Sequence, residues 1–437
     1  MKAGRIMLAL ILLIGSAGVL TTGSILYSRM LYLGLFLTIG SWVWTRWAVR
    51  GLRANRSARV LRANVGDIFE EKFNISNDSR VMVPWIEVLN QSLIPFAAGS
   101  RLFTYVNGRQ KQSYLARTWL TQRGGFLLGP TRISTGDPFG FFSASKMLSP
   151  EQTLVVFPVI FEIKSFVFPP GLLPGGQVIR RKSSDITPHA AGVREYVHGD
   201  AMKRIHWPTS ARRDRLMVKE FEQDPQAEIW LYLDSQQNVH YAKPYQSEEI
   251  SIETMMFRKR PKFKLPPSTL EYSISITASL AHYFIGQRRA VGYVSAGQAF
   301  TVHSAEHSER QEAKILETLA FVEANGGLSI AALVAVQASQ LPQGSSVILV
   351  TPSARPDLLH AVDDLQRRYL RPVVVLLDAE TFGGARGTEN LIISLHERRV
   401  PVVVIKCDAD LTQALSVVSN SINTKDMSSW QSPVLSQ

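Results

Sequence analysis

Cysteine is nearly absent: Cys407 stands alone among 437 residues, inside an apolar run that suits a small buried side chain. No disulfide framework can form within the chain, which fits a reducing compartment. The sequence also lacks a phosphate-binding glycine loop, a Gly-x-Ser-x-Gly nucleophile elbow and a clustered acid pair. Those gaps weigh against NTPase, serine-hydrolase and glycosidase chemistry. His189 and His198 have no carboxylate or thiol at ligand spacing, so a histidine-rich metal site is not expected. Charge is missing altogether from residues 6–28, and again from residues 30–45.

Those two uncharged runs are the firmest physical signal. About 20 apolar residues at 1.5 Å rise span a bilayer core. Trp42, Trp44 and Trp47 crowd the end of the second run, as interfacial aromatics do. A cleaved signal peptide is the rival for the first run alone, but the second run would anchor the chain anyway. We expect a two-helix transmembrane hairpin over residues 1–49, turning tightly at Tyr27-Ser-Arg29. Lys2 and Arg5 precede it, and Arg46, Arg50, Arg53 and Arg56 follow it on an expected continuing helix. The positive-inside rule then predicts a multi-pass protein of the inner (cytoplasmic) membrane with its bulk in the cytoplasm, its flanking arginines near anionic headgroups.

The formal net charge is +12, which allows acidic, lipid or nucleic-acid partners. The second basic concentration, Arg258-Lys-Arg-Pro-Lys-Phe-Lys264, reads as a solvated loop. No nucleic-acid fold signature or aromatic platform accompanies it, so no nucleic-acid partner is expected.

Residues 50–160 combine that juxtamembrane helix with a β-rich, sandwich-like domain. Near-alternating segments at 67–76, 81–89, 101–106 and 113–120 are separated by Asn107-Gly, Gly124-Gly and Gly136-Asp-Pro138 turns. Residues 161–226 hold a Pro/Gly-rich connector and a dense run described below. Residues 227–422 alternate Val/Ile/Leu strands (227–234, 290–295, 346–351, 372–378, 400–405) with helical patterns, which predicts a doubly wound parallel sheet. Ser268-Thr-Leu-Glu271 has the spacing of a capping box. Residues 423–437 read as a flexible tail. The fold class is therefore α/β: hairpin, small sandwich, parallel-sheet domain.

The most distinctive run lies just before that sheet. It gathers Arg194, Tyr196, Gly199, Asp200, Arg204, His206, Trp207, Ser210 and Arg212 within 21 positions, too mixed for one apolar face. As an active segment it offers His206 as base and Asp200 as its orienting partner, but no clear nucleophile. As a structural segment, Arg194, Asp200 and Arg212 pin the run onto the sheet domain and Trp207 fills an apolar seam.

This run resembles the signature of the bacterial family called domain of unknown function 58 (DUF 58), and Asp137-Pro-Phe-Gly-Phe141 resembles its upstream pattern. The resemblance implies a membrane-anchored protein with a von Willebrand factor A-like domain. In metal-binding domains of that kind the first strand ends in Asp-x-Ser-x-Ser. The matching positions here are Asp234, Gln236 and Asn238, with no acidic residue after the third strand, so we expect a degenerate site, no cofactor and no Mg²⁺. The resemblance also implies a MoxR-type AAA+ ATPase as partner. The expected function is a non-enzymatic membrane-anchored interaction or scaffold protein in complex assembly or maturation. The alternatives are an enzyme acting through Asp200 and His206, and a nucleic-acid binder recruited to the membrane.

Overall fold

In the computed structural model, residues 2–149, 152–166, 190–197, 202, 205–221, 228–245 and 263–422 are described. The chain divides into two compact units, residues 1–159 with 246–264, and residues 160–245 with 265–437.

The first unit begins with α1 (Lys2–Thr22) and α2 (Ile25–Gly51), both long and apolar enough to cross a bilayer. The turn between them lies at Gly23-Ser24, four residues before the expected Tyr27-Ser-Arg29. Gly23 adopts φ +62° and the Ser24 hydroxyl accepts from the Leu26 amide, so a left-handed glycine and an N-cap set the corner, where absence of charge is no guide. The helices meet closely at Gly15 against Leu31 and Gly34 against Leu12. Many of their other apolar side chains are exposed, Leu20 at 86% and Phe36 at 75%.

The expected helix through Arg56 is also corrected. α2 stops at Gly51, and β1 (Leu52–Ala58) follows directly. Period-2 geometry then sends Arg53 outward, to Asp78 at 3.0 Å, and turns Arg56 inward with Leu52. Strands β2 (Arg62–Asn64), β3 (Ile68–Asn77), β4 (Val83–Asn90), β5 (Arg101–Val106), β6 (Lys111–Trp119), β7 (Gly124–Leu127), β8 (Thr131–Gly136), β9 (Ser143–Leu148) and β10 (Thr153–Phe157) complete this unit. They form sheets of order β1-β3-β6, β2-β10-β7 and β5-β4-β8-β9. Phe73, Ile75 and Tyr114 from the first sheet pack on Ile86, Val88 and Ile133 from the third, a sandwich core that also takes in Ala48 of α2.

In the second unit, β11 (Ala190–Glu195) and β12 (Met217–Phe221) form an antiparallel pair with α3 (Trp207–Arg213) between them in sequence. The main sheet uses β13 (Ile229–Leu233), β14 (Val291–Ala296), β15 (Phe300–Glu306), β16 (Ser346–Thr351), β17 (Arg371–Leu377) and β18 (Val402–Ile405). Its order is β15-β14-β13-β16-β17-β18, all parallel except the edge strand β15. Helices α4 (Thr269–Gly286), α5 (Glu309–Phe321), α6 (Ile330–Gln337), α7 (Asp357–Arg367), α8 (Thr388–Glu397) and α9 (Leu411–Ile422) connect and flank it. Ser268 does sit at the N-cap of α4, but its side chain makes no capping hydrogen bond, so the Ser-x-x-Glu spacing is not used as a capping box. β13, β14 and β16 are buried along their whole length, as strands covered on both faces must be.

Candidate functional site

An open parallel sheet presents its ligand crevice beyond the carboxyl ends of the strands, where the strand order reverses direction. Here that point lies between β13 and β16. β13 delivers Asp234 to it and β16 ends in Thr351.

Asp234 is 1% exposed. Its Oδ2 accepts from the Thr351 hydroxyl at 2.6 Å, and its Oδ1 accepts from the Gln236 amide at 3.0 Å, closing an Asx-type turn. Burial pushes its carboxyl up to about 6, against those two hydrogen bonds. The Ser353 amide donates back to the Thr351 hydroxyl at 3.0 Å, which fixes the donor in place. His240 lies on the following turn. Its Nε2 faces the Asp234 carbonyl at 3.0 Å, which requires a proton there, and leaves Nδ1 to the Thr269 hydroxyl at 3.1 Å. Burial pulls this imidazole down to about 4, so it is neutral. The loop is closed further by Gly326, whose amide donates to the Ser235 carbonyl at 3.0 Å and whose carbonyl accepts from Gln237 at 3.0 Å. A Cβ at Gly326 would meet the Ala296 carbonyl oxygen at 2.0 Å, so only glycine fits.

The side chains do not fit a hard divalent cation. Gln236 is half-buried and contributes its backbone amide, while Asn238 is exposed. Both Asp234 oxygens already accept protein hydrogen bonds, and burial favours their protonated form. Among the described residues no group of three His, Cys, Asp or Glu side chains converges. A cation bound mainly by carboxylate oxygens would find one carboxylate, with both oxygens already hydrogen-bonded.

The signature run is only partly described. Gly199, Asp200 and Arg204 lie outside the described residues, as does the Arg194 side chain. The segment from Ile205 to Val218 is clear. Pro208 opens α3, Asp214 ends it in the left-handed region at φ 51°, and the chain returns as β12. Ser210 is the anchor. Its hydroxyl accepts from the Met217 amide at 2.8 Å and donates to the His206 carbonyl at 3.0 Å. His206 Nδ1 meets the Thr209 hydroxyl at 2.7 Å. The expected pinning and seam are corrected for two residues. Arg212 is exposed, and Trp207 stands 65% exposed instead of filling a seam. Arg212 stands two positions from Ser210, so helical geometry turns it away from the inward face, while Trp207 is the first residue of α3 and is exposed at the helix end. Tyr196 is half-buried, and its amide donates to the Leu216 carbonyl. Arg215 pairs with Glu195 at 2.9 Å on the surface.

The sequence profile of the family described as "Protein of unknown function DUF58" matches residues 192–257. A curated relative, the uncharacterized protein YeaD of Bacillus subtilis (strain 168), is 24% identical over 330 residues, 74% of this chain and 72% of its own length. These findings support the DUF58 family. Solved structures are far more distant. The CARDB domain of the PF1109 protein from Pyrococcus furiosus covers 24% of this chain and 91% of its own at 12% identity, with a TM-score of 0.17. The GH20 exo-β-N-acetylglucosaminidase from Vibrio harveyi covers 79% of this chain and 59% of its own at 8% identity, also with a TM-score of 0.17. The DUF58 match covers the β11–α3–β12 segment and the Asp234 turn together.

Two features escaped the sequence reading. Thr351 is the decisive partner of Asp234, 117 positions away. His240 was a plain histidine until its turn folded under α4. The only signal available was position: both follow the carboxyl ends of strands that the Val/Ile/Leu runs already marked.

Proposed function

We propose that this chain is a membrane-anchored interaction protein whose second unit is a metal-free, von Willebrand A-like docking domain. The observation that carries the reading is the Asp234 turn. It occupies the ligand crevice of the sheet, yet its carboxylate is consumed by Thr351 and Gln236. Such a site presents backbone, amide and hydroxyl groups to a protein surface. It lacks the electrophile or activated nucleophile a reaction needs. The sheet order, with five parallel strands and one antiparallel edge, supports the von Willebrand A-like fold. In the signature run, the engagement of Ser210 by Met217 and His206 supports a structural role over a nucleophilic one. The exposed apolar surface of α1 and α2 supports a bilayer-spanning hairpin, and the arginines at its open end support a cytoplasmic position for the remainder.

The partner class we propose is a MoxR-type AAA+ ATPase, in complex assembly or maturation. The test is photocrosslinking in intact cells from the exposed positions Gln237 and Asn238 of the full-length chain. The expected outcome is a covalent adduct with that ATPase. Absence of the adduct, together with a folded His206→Ala chain that has lost function, would replace this reading with the enzymatic one.

A further inference from the structure

The end of the helix hairpin is marked twice. α2 is exposed around Leu35, Phe36 and Ile39, but Ser41, Thr45 and Ala48 are buried, Ala48 in the sandwich core. The helix therefore emerges from its apolar surroundings near Ser41. The Gly15–Leu31 and Gly34–Leu12 contacts set the register of the antiparallel pair, and that register places Arg5 of α1 level with about Ser41. Arg5 is also the last charge before the long apolar run of α1.

The loop 137–142, between β8 and β9, is fastened at this level. Arg5 Nε donates to the Phe141 carbonyl at 2.7 Å, and its guanidinium lies 5.9 Å over the Phe142 ring. Gly4 approaches the Phe141 ring closely enough that a Cβ there would sit 3.2 Å from it. The loop itself is rigid by construction. Asp137 is 1% exposed, and its carboxylate accepts from the amides of Phe139, Phe141 and Phe142 at 3.0, 3.2 and 2.5 Å. Phe141 is buried, while Phe139, stacked on it at 5.7 Å, is 61% exposed. A preorganised loop thus holds one aromatic ring out at the level where both helices leave their apolar surroundings.

We infer that loop 137–142 is a membrane-dipping clamp, with Phe139 inserted at the headgroup–acyl boundary of the bilayer that α1 and α2 cross. The inference rests on the hairpin spanning a membrane. The chemistry fits that occupant. An aromatic ring beside an arginine matches the interfacial zone, where apolar surface is buried and the cation meets anionic headgroups. The clamp would fix the sandwich against the membrane surface, so that the domain moves with its anchor.

The experiment uses the full-length chain with Cys407→Ser as background, so that each new cysteine is unique. An environment-sensitive fluorophore is placed at Phe139→Cys, at Leu93→Cys in the loop between β4 and β5, and at Leu13→Cys in α1. Each chain is reconstituted in phosphatidylcholine–phosphatidylglycerol vesicles carrying nitroxide lipids of shallow or deep position. The expected result is a blue-shifted label at 139, quenched about twofold or more by the shallow nitroxide, with position 93 unquenched and position 13 quenched by the deep one. Equal quenching at 139 and 93, with position 13 still quenched, overturns the clamp alone. Loss of quenching at position 13 as well overturns the membrane-spanning reading, and the clamp with it.

Discussion

Glu71 of the first unit and Asp234 of the second are both buried carboxylates, and the two are stabilised in opposite ways. In the sandwich, Glu71 is 0% exposed and meets Arg56 Nε at 2.7 Å. In the α/β unit, Asp234 is 1% exposed and meets only neutral donors. Burial raises both carboxyls; Arg56 opposes that rise at Glu71, and hydrogen bonds oppose it at Asp234. The guanidinium also lies 5.3 Å over the Phe73 ring, inside the sandwich core. Yet Glu71 Oε2 finds no donor among the described residues, whereas both oxygens of Asp234 are engaged. A buried ion pair is a two-body device that fails when one body leaves. A buried carboxyl among neutral donors tolerates loss of its charge, because its proton is already half its solution to burial.

Removing Arg56 has the largest expected effect. Arg56→Ala strands Glu71 in the core and should cost about 3–5 kcal/mol, read by urea melts of the detergent-solubilised chain. Adding Glu71→Leu should restore much of that loss. A single variant as stable as the parent would mean the pair contributes nothing.

The second prediction concerns pH. The folded Asp234 holds its proton more tightly than the unfolded chain does. Its contribution is therefore complete below about pH 4 and is lost as pH rises to about 6, a change on the order of 3 kcal/mol. His240 runs the other way. Its folded value, about 4, lies below the unfolded one, so its contribution is present above about pH 6.5 and is lost as pH falls towards 4. In the parent these slopes oppose each other. Asp234→Asn should leave the His240 slope alone, with stability rising from pH 4 to 6.5 and no loss at pH 7. Asp234→Asn that is strongly destabilised at pH 7, or a melting temperature that responds to Mg²⁺ only in the parent, would show a working carboxylate there.

A smaller effect tests the signature run. Ser210→Ala leaves the buried Met217 amide without its acceptor and should cost about 1–3 kcal/mol in the same melts. If Ser210 were a nucleophile instead, the variant would keep its stability and lose function. The smallest effect belongs to Arg212→Ala, which should shift stability by less than about 0.5 kcal/mol because its side chain is already in water. A large loss there would mean that the arginine finds a partner in an assembly of this chain.

The comparison also separates what was legible from what was not. The apolar runs gave the two helices, because a bilayer-length stretch without charge has few other uses. The Val/Ile/Leu runs gave β13, β14, β16, β17 and β18, because strands covered on both faces must be apolar throughout. Strand β15 was missed because its burial alternates weakly along an exposed edge. Arg56 was misread because α2 runs 27 residues to Gly51 and nothing local announces that β1 begins at Leu52. Trp207 was assigned to an apolar seam, but it opens α3 and stands exposed at the helix end, where Ser210 is the residue that packs inward.

By itself, the sequence determined the apolar anchor, the alternation of strands and helices, and the place of Asp234 at a strand's carboxyl end. All three are local properties, written in hydropathy and its period. The long-range partners of Glu71 and Asp234 were set by tertiary contact alone. Arg56 reaches Glu71 across 15 positions because β1 pairs with β3, and Thr351 reaches Asp234 across 117 because β13 lies beside β16. Hydrogen bonds and ion pairs act over about 3 Å, so a partner's identity depends on which strands become neighbours, and no window of sequence contains that information.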